Sequence, residues 1–153
     1  MSMAARGVDA KKSVVEDANS LEFFEDFEQV STVPLLLSEV EKILEARKDL
    51  QLREDPDAAM SAEFTKTLDY AQRFGHSRSY EADEALRSIM EELRTQTPDM
   101  EKRLHKFEEV QLINLAPETV EEAKALIPTL VRVDDDILEN VLQQIMAFRS
   151  FAT

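Results

Sequence analysis

Leu104-His-Lys-Phe-Glu108, Asn114-Leu-Ala-Pro-Glu-Thr119 and Glu121-Glu-Ala-Lys-Ala-Leu-Ile-Pro128 decide the fold of this chain. Apolar residues recur here at helical spacing and are interrupted only by Pro117 and Pro128. That pattern predicts two short helices meeting at a proline-set corner. Thr119-Val-Glu-Glu122 has the form of a capping box, with Val120, Ala123, Leu126 and Ile127 on the inward side. Nothing in the stretch is equipped for catalysis.

Working outward, Thr97 with Pro98 at the first helical position predicts the start of the preceding helix. Its stripe is Leu104, Phe107 and Val110, closed by Leu112 and Leu115. A helix from about Tyr80 turns Ala82, Leu86, Ile89, Met90 and Leu93 inward. Another, capped by Ser61, places Phe64, Leu68, Ala71 and Phe74 on one face and ends at Gly75, read as a left-handed C-terminal residue. Asp134 to Asp136 favour the amino end of a last helix carrying Leu138, Val141, Leu142, Ile145 and Phe148. Upstream, Ser38-Glu-Val-Glu41 reads as a capping box for a first helix with Val40, Ile43, Leu44 and Arg47 as its stripe, followed by a linker over 51–59. Leu21–Phe27 and Val33–Leu37 read as extended pieces, and 1–15 as a disordered tail without a signal core.

Composition agrees with a mostly α chain. Of 153 residues only two are Gly, too few for the tight turns of a sandwich or barrel. The net charge of −14 opposes unaided binding to a phosphate backbone and favours a basic protein partner. There is no Cys, hence no disulfide or thiolate metal site. No apolar run reaches the roughly 18 residues that cross a bilayer.

Chemical motifs are sparse. Neither a Gly-rich phosphate loop, a nucleophile elbow nor an HExxH is present. His76 and His105 fall on different elements, which favours surface positions over a shared metal. Asp134-Asp-Asp136 with Glu139 lacks the glycine and terminal glutamate of a calcium loop, so it reads as helix capping. The pairs Glu91-Glu92 and Glu108-Glu109 read as solvated helix faces, and Lys102, Arg103, His105 and Lys106 as ordinary helix-face pairing. No catalytic, cofactor or metal residue is assigned.

The aromatic segment is the most suggestive feature outside the core. Burying its four large side chains yields on the order of 6–12 kcal/mol at best. Ordering about ten residues costs roughly 1–2 kcal/mol each. Pairing its backbone with an edge strand, on this domain or on a partner, tips that balance; the plainer reading is that the arm covers its own helical core.

Several separated blocks resemble the fourth subunit of eukaryotic RNA polymerase II. They are Glu16-Asp-Ala-Asn-Ser-Leu-Glu-Phe23, Ser38-Glu-Val, Leu44-Glu-Ala-Arg-Lys48, Phe64-Thr-Lys-Thr-Leu-Asp-Tyr-Ala-Gln-Arg-Phe74, the three stretches quoted first, and Arg149-Ser-Phe151. The resemblance implies a nuclear, non-catalytic subunit that pairs with the polymerase's seventh subunit in a stalk beside the RNA exit channel. It also implies contact with the polymerase core, nucleic-acid contact mainly through the partner's barrel, and no cofactor. The expected architecture is a docking arm and first helix over 16–50 and an HRDC-like bundle over 60–153. Partner contact then falls to Leu21, Phe23, Phe24, Phe27, Leu35, Leu36, Leu37, Val40 and Leu44. Phe107, Leu126, Ile127 and Leu142 fall in the bundle core. Ala116 in place of the usual Cys, the turn His76–Tyr80, and an apparent insertion over Thr95–Arg103 depart from the family pattern. The equivalent subunit of RNA polymerase III and a free-standing nucleic-acid module are the alternatives. The largest co-purifying subunit separates the first, and a salt titration against single-stranded RNA the second.

Overall fold

The computed structural model describes residues 15–76 and 78–150. The chain divides into two compact units between Thr32 and Val33. The tail expected over 1–15 lies outside the described residues except for Val15.

In the first unit the extended reading of Leu21–Phe27 is corrected. Asp17 and Glu22 form one isolated antiparallel bridge around a turn in which Leu21 adopts a φ of 55°. The Asp17 carboxylate accepts from the Asn19 amide at 2.9 Å and from the Ser20 hydroxyl at 3.1 Å, which closes the turn locally. A single helical turn, α1 (Glu25–Glu28), follows. The ring of Phe27, in this turn, meets that of Phe23, which precedes it, with centroids at 4.7 Å. Acids at 25 and 26 suit the amino end of a helix, which a strand reading of the aromatic spacing overlooks.

The second unit is a helical bundle with no strand among its described residues. Its elements are α2 (Leu37–Glu54), α3 (Ala62–Phe74), α4 (Tyr80–Gln96), a 3-10 turn (Met100–Lys102), α5 (Lys106–Leu115), α6 (Val120–Leu126), a second 3-10 segment (Pro128–Arg132) and α7 (Asp135–Ser150). The first long helix, grouped with the arm on sequence, packs along α3 in this unit, and α4 packs along α7. Leu86, Met90, Leu112, Leu130, Leu138, Val141 and Ile145 fill the core. No described helix is long and apolar enough to cross a membrane.

Local signals set several ends. Ser61, Ser79 and Thr119 accept from the amides of Phe64, Ala82 and Glu122, as N-caps should. Glu122 reaches back to the Glu118 amide, one residue before the cap. Other boundaries differ from expectation. Pro98 opens no helix, because α4 runs through to Gln96 and Thr97 returns its hydroxyl to the Leu93 carbonyl. The next α-helix begins only at Lys106, with His105 as its cap. Likewise α2 continues to Glu54, into the expected linker. Phe74, Leu115 and Leu126, read as inward, are exposed.

Gly75 is not left-handed: its φ is −76°, and the positive φ of 58° falls on His76. What requires glycine is proximity. A Cβ at Gly75 would lie 2.5 Å from the Ala71 carbonyl oxygen and 3.1 Å from the Ser38 amide nitrogen. Both are backbone atoms, so relief needs movement of α3 against α2. Gly75→Ala is therefore expected to cost about 1–3 kcal/mol, read from urea denaturation midpoints.

Candidate docking surface

The start of α2 is fixed by polar contacts to elements distant in sequence. Leu36, not Ser38, precedes the first helical residue, and Glu39, not Glu41, reaches back to its amide at 2.7 Å. Arg87 of α4 grips Glu39 and donates to the Pro34 carbonyl at 2.8 Å. The Leu37 amide donates to the Asn114 side-chain oxygen at 3.1 Å.

Ser38 has a different task from capping. It is buried and donates to Asp83 at 2.8 Å. Lys42 at 2.8 Å and Arg78 at 3.0 Å also bind this carboxylate, which is 1% exposed. Arg78 is itself buried and reaches the Ile113 carbonyl. One buried acid thus ties α2, the α3–α4 turn and, through Arg78, α5.

His76 bonds the Asn114 carbonyl at 3.1 Å through its Nε2. Burial pushes its imidazole below the ordinary 6.5. The carbonyl pulls the other way, while Arg78 and Arg149 add to the depression. The unfolded chain therefore takes up this proton first. The contribution of His76 is fully present above 6.5 and is lost as pH falls from there towards the folded value. Urea midpoints across that window should fall more steeply for the natural chain than for His76→Gln.

With its start pinned, α2 presents two apolar faces. Val40 and Leu44 are half-buried in the second unit, whereas Ile43 is 53% exposed. The stripe read from sequence as one face is therefore split. Ile43, Ala46, Arg47 and Leu50 form an exposed strip at i, i+3, i+4 and i+7, and Leu35 lies exposed before the helix. Of the expected partner-binding residues here, Leu36 is fully buried in the core. Leu37, Val40 and Leu44 are half-buried, and only Leu35 is freely offered. In the first unit Phe24 is exposed, while Leu21, Phe23 and Phe27 are half-buried. Ile43 and Leu50 are the residues that sequence reasoning missed as surface. Their i, i+7 spacing was the available signal.

Two acids read as solvated are buried. Glu108 is fully enclosed and receives Arg132 at 2.6 and 2.8 Å, the Thr129 hydroxyl at 2.6 Å and the His105 amide at 2.8 Å. Glu109 pairs with Arg94. The basic cluster is dispersed into structural contacts too, Lys102 to Asp134 and Arg103 to the Thr97 carbonyl. These charges are spent in contacts that tie the elements of the bundle together. Among the described residues no three His, Asp or Glu side chains could share a metal ion.

The RNA polymerase Rpb4 family matches residues 34–149. The chain belongs to the RNA polymerase Rpb4 family. The match lies within the second unit and takes in α2, the Asp83 node and all of the later helices but the last residue of α7. Among relatives of this Rpb4-family chain, subunit 4 of DNA-directed RNA polymerase II from Arabidopsis thaliana is 33% identical, over 89% of this chain and 96% of its own length. The rpb4 subunit of DNA-directed RNA polymerase II from Schizosaccharomyces pombe is 31% identical, over 89% and 93%. That from Dictyostelium discoideum is 29% identical, over 89% and 90%.

Proposed function

We propose that this chain is a non-catalytic subunit of nuclear RNA polymerase II, docked on the polymerase's seventh subunit as part of the stalk beside the RNA exit channel. In that complex it supports initiation and the steps that follow, and its bundle is of the HRDC-like type. Family membership supports the assignment, as do three relatives each named as a subunit of polymerase II. These names favour polymerase II over the polymerase III equivalent.

The observation that carries the docking reading is the exposed strip Ile43, Ala46, Arg47 and Leu50 on a helix whose opposite side is already packed. Apolar residues in such a row mark a protein interaction surface better than single exposed residues do. An amphipathic helix laid against a partner uses this spacing. In the first unit the exposed Phe24 and Val30 supply further contacts. A net charge of −14 suits a basic partner and leaves RNA contact to it.

Purification of the tagged chain from nuclei, with identification of the largest subunit that accompanies it, tests the assignment. Recovery of the polymerase II large subunit is expected, and exclusive recovery of the polymerase III counterpart would refute it. Hydrogen exchange at 43–50 should slow when the seventh subunit is added. Unchanged exchange there would place the docking surface elsewhere.

A further inference from the structure

A cleft of about 420 Å3 lies between the C-terminal end of α4, the first 3-10 turn and the start of α7. Leu93, Pro98 and Ile137 form its apolar lining, and Asp99, Asp134 and Asp136 supply carboxylates. It is built partly from the segment Thr95–Arg103 and is separate from the strip on α2.

The hydrogen-bonding inventory of the cleft is weighted towards carboxylate acceptors. The Gln96 amide nitrogen is committed to Glu92 at 2.8 Å, and the Thr97 hydroxyl to the Leu93 carbonyl at 2.8 Å. Lys102 is committed to both oxygens of Asp134 at 3.0 Å. Asp99 accepts the Glu101 amide through one oxygen and keeps the other. Asp136 has no hydrogen bond or ion pair among the described residues. Apart from the Asn140 amide, which can donate as well as accept, what the lining leaves unspent is carboxylate acceptor capacity beside an apolar floor.

That combination selects its occupant. A phosphate or carboxylate is repelled by the lining charge. A compact metal ion needs ligands closer together than any group of acids among the described residues supplies. An arginine side chain fits both properties: its methylene stem covers apolar surface while the guanidinium donates to carboxylates. We propose that this cleft binds an arginine-containing segment of a partner protein, with the stem against Leu93, Pro98 and Ile137 and the guanidinium at Asp136 and the free oxygen of Asp99.

The test is an NMR titration of the full chain at low salt with the peptide acetyl-Gly-Arg-Leu-Gly-amide and its citrulline counterpart. Saturable shifts at the Leu93, Ile137 and Asn140 amides are expected. The uncharged citrulline peptide should bind at least about fivefold more weakly, because the charge-assisted bonds are lost. Asp136→Asn should weaken the arginine peptide by a similar factor. Asp135→Asn removes the same charge from the same helix end but does not line the cleft, so it should leave binding unchanged. Equal affinity for the two peptides, an equal effect of the two variants, or no saturable shift would overturn the proposal.

Discussion

Replacing Asp83 with alanine is expected to destabilise the chain by about 3–5 kcal/mol, the usual cost of leaving one partner of a buried ion pair behind. Arg78 is the reason: it is buried beside Asp83, its one ion-pair partner among the described residues. Lys42 is less affected, because a third of its side chain already meets solvent. Ser38 would lose its acceptor inside the core. A large part of a domain's usual stability of about 5–15 kcal/mol is then at risk. Adding Arg78→Met to Asp83→Ala should recover part of the loss, since it removes the uncompensated charge. Urea denaturation of the single and double variants measures both effects. A double variant no more stable than Asp83→Ala would show that the charge left behind is not the source of the cost.

Ile43→Asp is expected to leave folding stability within about 0.5 kcal/mol, as exposed substitutions generally do. Under the proposed docking, the same change should weaken association with the seventh subunit by roughly 30-fold or more, the loss typical of a central apolar anchor. Leu36→Ala should show the opposite pattern. Leu36 is fully buried, so truncation should cost about 2–5 kcal/mol in stability. Titration calorimetry against the purified partner, beside denaturation of each variant alone, separates the two. Undiminished binding by Ile43→Asp would remove this strip from the interface.

The contrast between Leu36 and Ile43 shows where sequence reading stops. Both are apolar residues near the start of one helix. Periodicity places Val40, Ile43 and Leu44 on a single face, yet α3 covers only part of that arc and Ile43 is left outside. The three apolar residues at 35–37 divide in the same way, because Arg87, Asn114 and Asp83 hold this segment at one rotation about its axis.

Sequence alone determined that the chain is helical and roughly where the later helices lie. The hydroxyls of Ser61 and Thr119, the interruptions at Pro117 and Pro128, and the acids at 134–136 act over three or four residues, so their effect is readable in place. Only the tertiary structure decided which charges are inside. Glu108 and Glu109 look like Glu91 and Glu92 in sequence, but the former pair meets Arg132 and Arg94 across the bundle while the latter stays in solvent. Asp83 likewise depends on Ser38, which lies 45 residues away. A carboxylate can be buried only where distant donors converge on it, and that convergence is created by the packing of the helices.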